Sequence, residues 1–305
     1  MTDFTVPLLR RTPLLPGESL PSLLERLAQL NYYGGTSVLT WLCRAQREPP
    51  LNLDKPACLR FGSTLLRLAH LTQLPAAELW AASAHRFTPL LTPSGELAAD
   101  SAWLKAPNQP CALPSQAHAA LRPPTAAQYC PLCLQTAPYH RLSWLPVAAT
   151  LCLEHRCLLV DRCPRCQRLV TVADIVRRRC RACQTDLSAA PAVRVAADDL
   201  GLLAQALLQS WFADAPTPIL DGAQQLPAQS PAHLYRLWDY LYRRLLTCQE
   251  TWPTWPSAAP DLVAHVPRAS PLPHRPPPSQ AYYLYRTAFA GLLDWPQGLY
   301  RFLDA

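Results

Sequence analysis

Leucines at helical spacing dominate the first 90 residues of the chain. One face of the first predicted helix carries five of them: Leu20, Leu23, Leu24, Leu27 and Leu30. Ser19 can cap this helix, and Pro21 lies in its first turn. Three further short helices are predicted. The first begins after Thr36, the second runs from residue 59 or 61 to residue 71, and the third begins after Pro75.

Four short helices with turns of this kind suit either a helix-turn-helix-like domain or a plain small helical bundle. We favour the helix-turn-helix-like domain and assign it residues 1–90. The arginines near these helices are scattered, which is typical of a solvated face, so no recognition helix stands out. Residues 91–127 are rich in proline and are predicted to be a connector, with at most one short helix near Ala98 to Lys105.

Helical periodicity returns in the last third of the chain. One predicted helix is capped by either Asp198 or Asp199, a second begins at Ser230-Pro231, and a third runs from about Gln280 to Leu293. A proline-rich loop or linker is expected over residues 251–280. Together these features predict a C-terminal helical domain over residues 196–305.

Four aromatic residues lie close together within the second of these helices: Tyr235, Trp238, Tyr240 and Tyr242. Aromatic rings can serve as platforms for nucleobases. Their helical spacing, however, is more typical of residues packed in a core, and we favour that interpretation.

Between the helical parts lie four pairs of metal-ligand residues, each pair separated by two residues: Cys130 and Cys133, Cys152 and His155, Cys163 and Cys166, and Cys180 and Cys183. Such a pair turns two donor atoms toward one point, and a second pair completes the tetrahedron that zinc prefers. Taken in order, the first four residues would hold one zinc and the last four a second. All four positions of each site are filled, so both sites are predicted to be structural.

Three alternatives compete with this assignment. Disulfides require an oxidising compartment, and no signal-peptide pattern follows Met1. An iron–sulfur cluster is disfavoured by the regular pairing of the ligands. Finally, Cys157 lies two residues after His155 and could replace it as a ligand. The metal block is assigned to residues 128–195 as tandem zinc ribbons built from small β-hairpins.

Composition limits the remaining function classes. The chain has 305 residues, 34 prolines and a formal net charge of +7, and 50% of its residues are hydrophobic. No apolar run reaches the roughly 18 residues of a membrane helix, so a soluble, cytoplasmic protein is expected without membrane contact. The predicted fold is therefore mainly α with small zinc-ribbon β-hairpins.

Eight arginines are concentrated within the metal block: Arg156, Arg162, Arg165, Arg168, Arg177, Arg178, Arg179 and Arg181. We call these residues the arginine set. A rigid surface of this kind fits nucleic acid or an acidic protein face, whereas solubility alone is the simpler alternative. We favour contacts with nucleic acid or a partner.

Enzyme chemistry finds little support in the sequence. There is no glycine-rich phosphate loop, no Gly-x-Ser-x-Gly motif, no acidic cluster for two-metal chemistry, and no His-x-Glu to complete a deaminase signature. We therefore predict no catalytic residues and no enzyme activity.

Two separated motifs stand out along the chain. The first is PGESLPSLLERLAQLN, from Pro16 to Asn31. The second, from Tyr129 to Cys166, is YCPLCLQTAPYHRLSWLPVAATLCLEHRCLLVDRCPRC. Together they resemble the TniQ/TnsD family of transposition target selectors. Cys157 departs from the pattern, because the family often has glycine there.

The resemblance implies a non-enzymatic adaptor. Such a protein links a target-recognition module, either an RNA-guided CRISPR effector complex or the target DNA itself, to the AAA+ transposition regulator TnsC. Other transposase subunits would be reached indirectly, and a homodimer is compatible with this role. The alternative is a stand-alone zinc-dependent regulator that binds DNA sequence-specifically.

Overall fold

The computed structural model describes residues 6–42, 62–91, 119–213, 226, 229–248, 276–293 and 295–304. Within this part of the chain the protein is mainly helical, and strands are few. The helix predicted near Ala98 to Lys105 and most of the proline-rich stretch 251–280 lie outside the described residues.

In the described residues of the N-terminal part there are five helices: α1 Leu20–Leu30, α2 Ser37–Leu42, α3 Gly62–Thr72, α4 Ala76–Ala81 and α5 Thr88–Leu91. A 3₁₀ turn, Ala84–Phe87, joins α4 to α5. Four of the five leucines on the predicted face of α1 are buried, whereas Leu30 in the last turn is 37% exposed. Asn31 follows the helix, and its Nδ2 donates to the Leu27 carbonyl at 2.9 Å. The apolar core of this part consists of Leu20, Leu23, Leu24 and Leu27 of α1 together with leucines of α2, α3 and α4. The helix-turn-helix arrangement itself stays a prediction.

The middle of the chain is built from short elements. The helices are α6 Pro131–Thr136 and α7 Val172–Arg177, and two strands of two residues each, β1 Leu151–Cys152 and β2 Cys157–Leu158, form a hairpin. Three 3₁₀ turns lie at Pro124–Ala126, Leu142–Trp144 and Leu187–Ala189. The strands pair antiparallel, with Leu151 opposite Leu158 and Cys152 opposite Cys157. Although each element is short, the region has an apolar core of its own, which includes Tyr129, Leu134, Trp144, Val170 and Ile175.

The structure describes four helices after residue 195: α8 Leu200–Ala213, α9 Pro231–Cys248, α10 Pro278–Leu292 and α11 Gln297–Asp304. Asp199 caps α8 by accepting from the Gly201 amide at 2.7 Å, and Ser230 accepts from the His233 amide at the start of α9. Both caps were predicted. Helix α10 packs against both α8 and α9.

The aromatic residues of α9 are largely core residues, as expected. Tyr235, Trp238 and Tyr242 are buried, and the Tyr242 ring stacks on Tyr285 of α10 with centroids 4.0 Å apart. Tyr240 differs, since it is 52% exposed and lies beneath the guanidinium of Arg244. Three of the four rings are therefore unavailable as nucleobase platforms.

This C-terminal core also includes residues from earlier in the chain. Phe87, Leu90 and Leu91 pack in it, as do Leu121 and Leu145. Helix α5 lies directly against α9. The predicted domain division at 90/91, 127/128 and 195/196 stays a prediction, and the apolar core is continuous across all three positions.

A buried ion pair joins three distant segments within this arrangement. Arg122 is 2% exposed, and its Nη1 donates to Asp161 Oδ2 at 3.2 Å. Its Nη2 donates to the Pro276 carbonyl at 2.7 Å, and its backbone amide bonds to the Leu145 carbonyl at 2.8 Å. One side chain thus ties the segment before the first ligand pair to the middle of the chain and to the start of α10.

Candidate metal centres and the basic surface

The first cluster consists of Cys130, Cys133, Cys152 and His155. Cys130 occupies the N-cap of α6, where Pro131 fixes the first turn and the Cys130 sulfur accepts from the Cys133 amide at 3.4 Å. This places both sulfurs at one end of the helix. Cys152 ends strand β1, and His155 lies in the turn before β2.

The four donor atoms of the first cluster all lie within 4.8 Å of one another. Cys133 Sγ is 3.3 Å from His155 Nδ1 and 3.6 Å from Cys152 Sγ. Cys130 Sγ is 3.6 Å from the same His155 nitrogen. Four donors that converge from two unconnected elements form a cage that could hold one metal ion.

The second cluster has the same design, with Cys163, Cys166, Cys180 and Cys183. Cys163 Sγ lies 3.5 Å from Cys183 Sγ, and Cys166 Sγ lies 3.6 Å from Cys180 Sγ. These distances run between the pairs rather than within them. The sequential partition of the eight residues into two sets of four is therefore the arrangement in the fold.

Three of the four ligand pairs are followed by a residue in the left-handed backbone region. These residues are Arg156, Gln167 and Gln184, with φ values of 48°, 60° and 61°. The Gln167 amide donates to the Cys163 carbonyl and the Gln184 amide to the Cys180 carbonyl, which closes each turn. Non-glycine residues adopt this conformation at a cost, so each turn holds it through surrounding contacts.

Cys157 lies beside the first cluster but outside its set of four. Its Sγ is 3.5 Å from Cys130 Sγ, and the residue is fully buried opposite Cys152. Hydrogen bonds from Cys133, Cys152 and Cys157 lower the pKa of the Cys130 thiol. His155, rather than Cys157, is the fourth donor that lies close to all three of the other residues.

Helix α7 is inserted between the two halves of the second cluster. Thr171 and Asp174 form a capping box, in which the Thr171 hydroxyl accepts from the Asp174 amide and the Asp174 carboxylate accepts from the Thr171 amide. The other Asp174 oxygen accepts from the Arg181 amide at 2.8 Å. A buried carboxylate thus fixes the helix to the turn that carries Cys180 and Cys183.

The arginine set surrounds these clusters. Six of its members are exposed: Arg156, Arg165, Arg168, Arg177, Arg179 and Arg181. Arg178 pairs with Asp186 at 3.2 Å, while Arg162 donates to the Gln167 carbonyl of its own turn at 2.9 Å. Arg177 lies close enough to Glu25 of α1 to oppose the burial that raises the pKa of that carboxyl. Among the residues described, Arg178 is the one member of the set that forms an ion pair.

The two sequence motifs meet in the fold through residues that are more than 100 positions apart. The Ser19 amide donates to the His140 carbonyl at 2.9 Å, and the His140 amide donates to Ser22 Oγ at 3.1 Å. The Leu142 amide donates to the Gly17 carbonyl at 2.7 Å. The start of α1 and the stretch after α6 therefore form one hydrogen-bonded junction.

Polar side chains complete this junction. Ser19 occupies the predicted N-cap, yet its hydroxyl bonds to His140 Nδ1 at 2.9 Å and caps nothing. Glu18 is 1% exposed, pairs with Arg26 at 2.6 Å and accepts from Ser22 at 2.9 Å. Burial lowers the pKa of His140 to about 3, so this imidazole is neutral at pH 7.

Sequence reasoning missed Arg122 and the role of His140. Arg122 stands in a stretch interpreted as connector, and a single arginine there gives no signal of burial. The Tyr139-His140-Arg141 segment was recognised only as part of a motif, and its contact with residues 17–22 could not be derived from local pattern. The presence of both motifs in one chain is the signal that could have predicted this contact.

These observations define a class: a mainly helical protein with two four-donor cysteine and histidine clusters at its centre. In the part of the chain that the structure describes, no helix is long and apolar enough to cross a membrane. The TniQ family model matches residues 9–159, which contain both halves of the junction and the whole first cluster. The chain is a TniQ-like, transposition-associated protein.

The matched range has a clear limit. It ends before Cys163, so the second cluster and all the C-terminal helices lie beyond it. The TniQ family is a family of non-catalytic transposition accessory proteins that work with partner proteins. A comparison with curated proteins finds no match.

Proposed function

We propose that the protein is a non-enzymatic target-selection adaptor in DNA transposition. It would link a target-recognition module, either an RNA-guided CRISPR effector complex or target DNA, to the AAA+ regulator TnsC and so to the transposase. The family match supports the assignment to DNA transposition. The rigid centre with its exposed arginines supports a role in assembly, because it offers a basic surface held in place by two clusters.

We propose zinc as the metal of both clusters. A zinc–sulfur bond of about 2.3 Å in a tetrahedron separates neighbouring sulfurs by about 3.8 Å. The observed separations between sulfurs of different pairs, 3.5 and 3.6 Å, are close to this value. Three thiolates with one imidazole, and four thiolates, are donor sets that zinc prefers, and both leave no position for water. Zinc would supply folding free energy here, and the residues would bind no substrate.

The exposed arginines are the observation that carries the binding proposal. Arg165, Arg168, Arg179 and Arg181 lie on turns next to the second cluster and are exposed. Turns held by metal lose little entropy on binding, so their side chains are presented at fixed positions. Arg177 and Arg178 fit this role less well, since Glu25 and Asp186 lie beside them.

The test compares two double variants. Arg179→Ala with Arg181→Ala removes two exposed arginines beside the second cluster, and Arg11→Ala with Arg244→Ala removes two exposed arginines of the N-terminal arm and of α9. Each phosphate contact contributes about 0.9 to the slope of log K against log salt on duplex DNA, so the first variant should lower that slope by about 1.8 and the control should not. Equal slopes for both variants would assign these arginines to solubility alone.

A second measurement separates the adaptor from a sequence-specific regulator. The protein alone should bind native and scrambled target duplexes alike, with affinity of about 10⁻⁴ to 10⁻⁶ M at physiological salt. A target-specific complex should form only when the recogniser and TnsC are added. Discrimination of about 1 to 3 kcal/mol per altered base pair by the protein alone would instead establish the regulator.

A further inference from the structure

A groove of about 480 Å³ opens where the N-terminal arm, α1 and the middle of the chain meet. We call it the junction groove. The arm contributes Arg10, Thr12 and Leu15 to one wall, and the stretch after α6 contributes Ala137, Pro138 and Tyr139 to the other. Its remaining lining residues come from α1 and the turn after it, and from α7: Arg26, Gln29, Leu30, Tyr32 and Val176.

The lining is mostly apolar, and part of it is exposed to solvent. Tyr32 is 81% exposed and Leu30 is 37% exposed, whereas Val176 and Tyr139 form a more deeply buried part of the lining. An exposed tyrosine beside an exposed leucine in a concave surface is typical of a site for one apolar side chain.

Among the described residues that line the groove, the charged side chains are two arginines, and none is acidic. Arg26 is already paired with Glu18 at 2.6 Å, so it adds little net charge. Arg10 is exposed, and its guanidinium lies 4.7 Å from the centre of the Tyr32 ring. It donates to the Leu30 carbonyl at 3.4 Å and forms no ion pair among the residues described. One uncompensated cation thus stands beside an apolar floor.

This balance distinguishes between two classes of ligand. A nucleic-acid strand gains its affinity from several phosphate contacts, and a single uncompensated arginine supplies one. A peptide needs only one carboxylate at Arg10 and one apolar side chain over Leu30 and Tyr32. We propose that the junction groove is a docking site for a short protein segment that carries an acidic residue next to a large apolar residue.

The groove uses different residues from the arginine set, so either proposal can fail without the other. The probe is a library of random 12-residue peptides displayed on phage and selected on the purified full chain. Selection should enrich Asp or Glu within about three positions of Leu, Ile or Phe. The best synthetic peptide should then bind Arg10→Glu at least tenfold more weakly, and Tyr32→Ala similarly.

Arg11→Glu is the matched control, because it makes the same charge change at an exposed neighbour outside the groove. It should change affinity for the peptide less than twofold. Unaltered metal content and melting temperature show that each variant is folded. Selection of peptides without an acidic residue, or equal loss in Arg10→Glu and Arg11→Glu, would overturn the proposal. So would a single-stranded 20-mer oligonucleotide whose binding depends on Arg10 while no peptide is selected.

Discussion

At the scale of single residues, the ligand clusters carry the sharpest chemistry. Each of the eight donors has a neighbour from the other half of its cluster at or near the distance that one shared ion requires. Cys157 is the ambiguous residue, since its sulfur touches Cys130 without joining the four. The contacts of His155 and Cys157 therefore predict different effects on metal content when each residue is replaced.

Metal analysis tests these assignments. The purified protein should contain about two zinc ions per chain. Cys163→Ser and Cys180→Ser should each lose one zinc and unfold the second-cluster region, because a structural zinc contributes roughly 10 kcal/mol or more to folding. His155→Ala should lose the first zinc, while Cys157→Ser, its matched control, should retain both.

Two results would contradict this assignment. One zinc per chain in the wild type would mean that only one cluster is a metal site. Loss of zinc in Cys157→Ser with retention in His155→Ala would exchange the two residues as ligand. Circular dichroism on the same samples distinguishes lost metal from lost fold.

At the scale of elements, the junction between α1 and the stretch 139–144 is the main finding. His140 lies wholly inside it and contacts Ser19 at 2.9 Å and Trp144 at a ring distance of 5.8 Å. Because desolvation penalises the charged imidazole, protonation of His140 opposes the folded state. The junction should therefore weaken in acid.

The direction of this pH effect follows from proton binding. The pKa of His140 is about 3 in the folded protein and 6.5 ordinarily, so the unfolded chain binds the extra proton between these values. The stability present above pH 6.5 is lost as pH falls toward 3, by at most about 1.4 kcal/mol per pH unit. Between pH 6.5 and 5 the wild type should lose about 1 to 2 kcal/mol more than His140→Asn, measured by urea unfolding.

Zinc content is measured at each pH, so that loss of metal is not mistaken for protonation of His140. Parallel stability curves for wild type and His140→Asn would show that this imidazole is not held neutral.

At the scale of the whole molecule, Arg122 and Asp161 connect parts that no single apolar pattern joins. The ion pair is almost completely buried, with side chains 2% and 8% exposed. A buried pair need not stabilise a fold more than apolar residues would, but removal of one partner leaves a charge without compensation. Loss of one partner should therefore destabilise the middle of the chain and the C-terminal helices together.

Arg122→Met should lower the free energy of unfolding by about 3 to 5 kcal/mol. Arg178→Met, the same change in the exposed pair of Arg178 with Asp186, should lower the free energy of unfolding by less than about 1 kcal/mol, because these two side chains are 43% and 36% exposed. Urea unfolding followed by tryptophan fluorescence measures both. The double variant Arg122→Met with Asp161→Leu should recover much of the loss, and equal losses in the two single variants would exclude a special role for the buried pair.

The sequence by itself determined what depends on local spacing. The leucine face of α1, the caps at Asp199 and Ser230, and the sequential grouping of the eight ligands follow from contacts between residues a few positions apart or from pairs of fixed geometry. The same spacing favoured core packing for Tyr235, Trp238 and Tyr242, which are buried.

Only the tertiary structure decided the rest. It directed the Ser19 hydroxyl to His140 instead of to its own helix, buried Arg122 in a stretch that reads as connector, and left Arg177 beside Glu25. Each of these contacts joins residues that are 39 to 154 positions apart, and no periodicity along the chain encodes them. They depend on which surfaces meet once the helices and clusters have formed, because burial and partner charge are properties of that assembly.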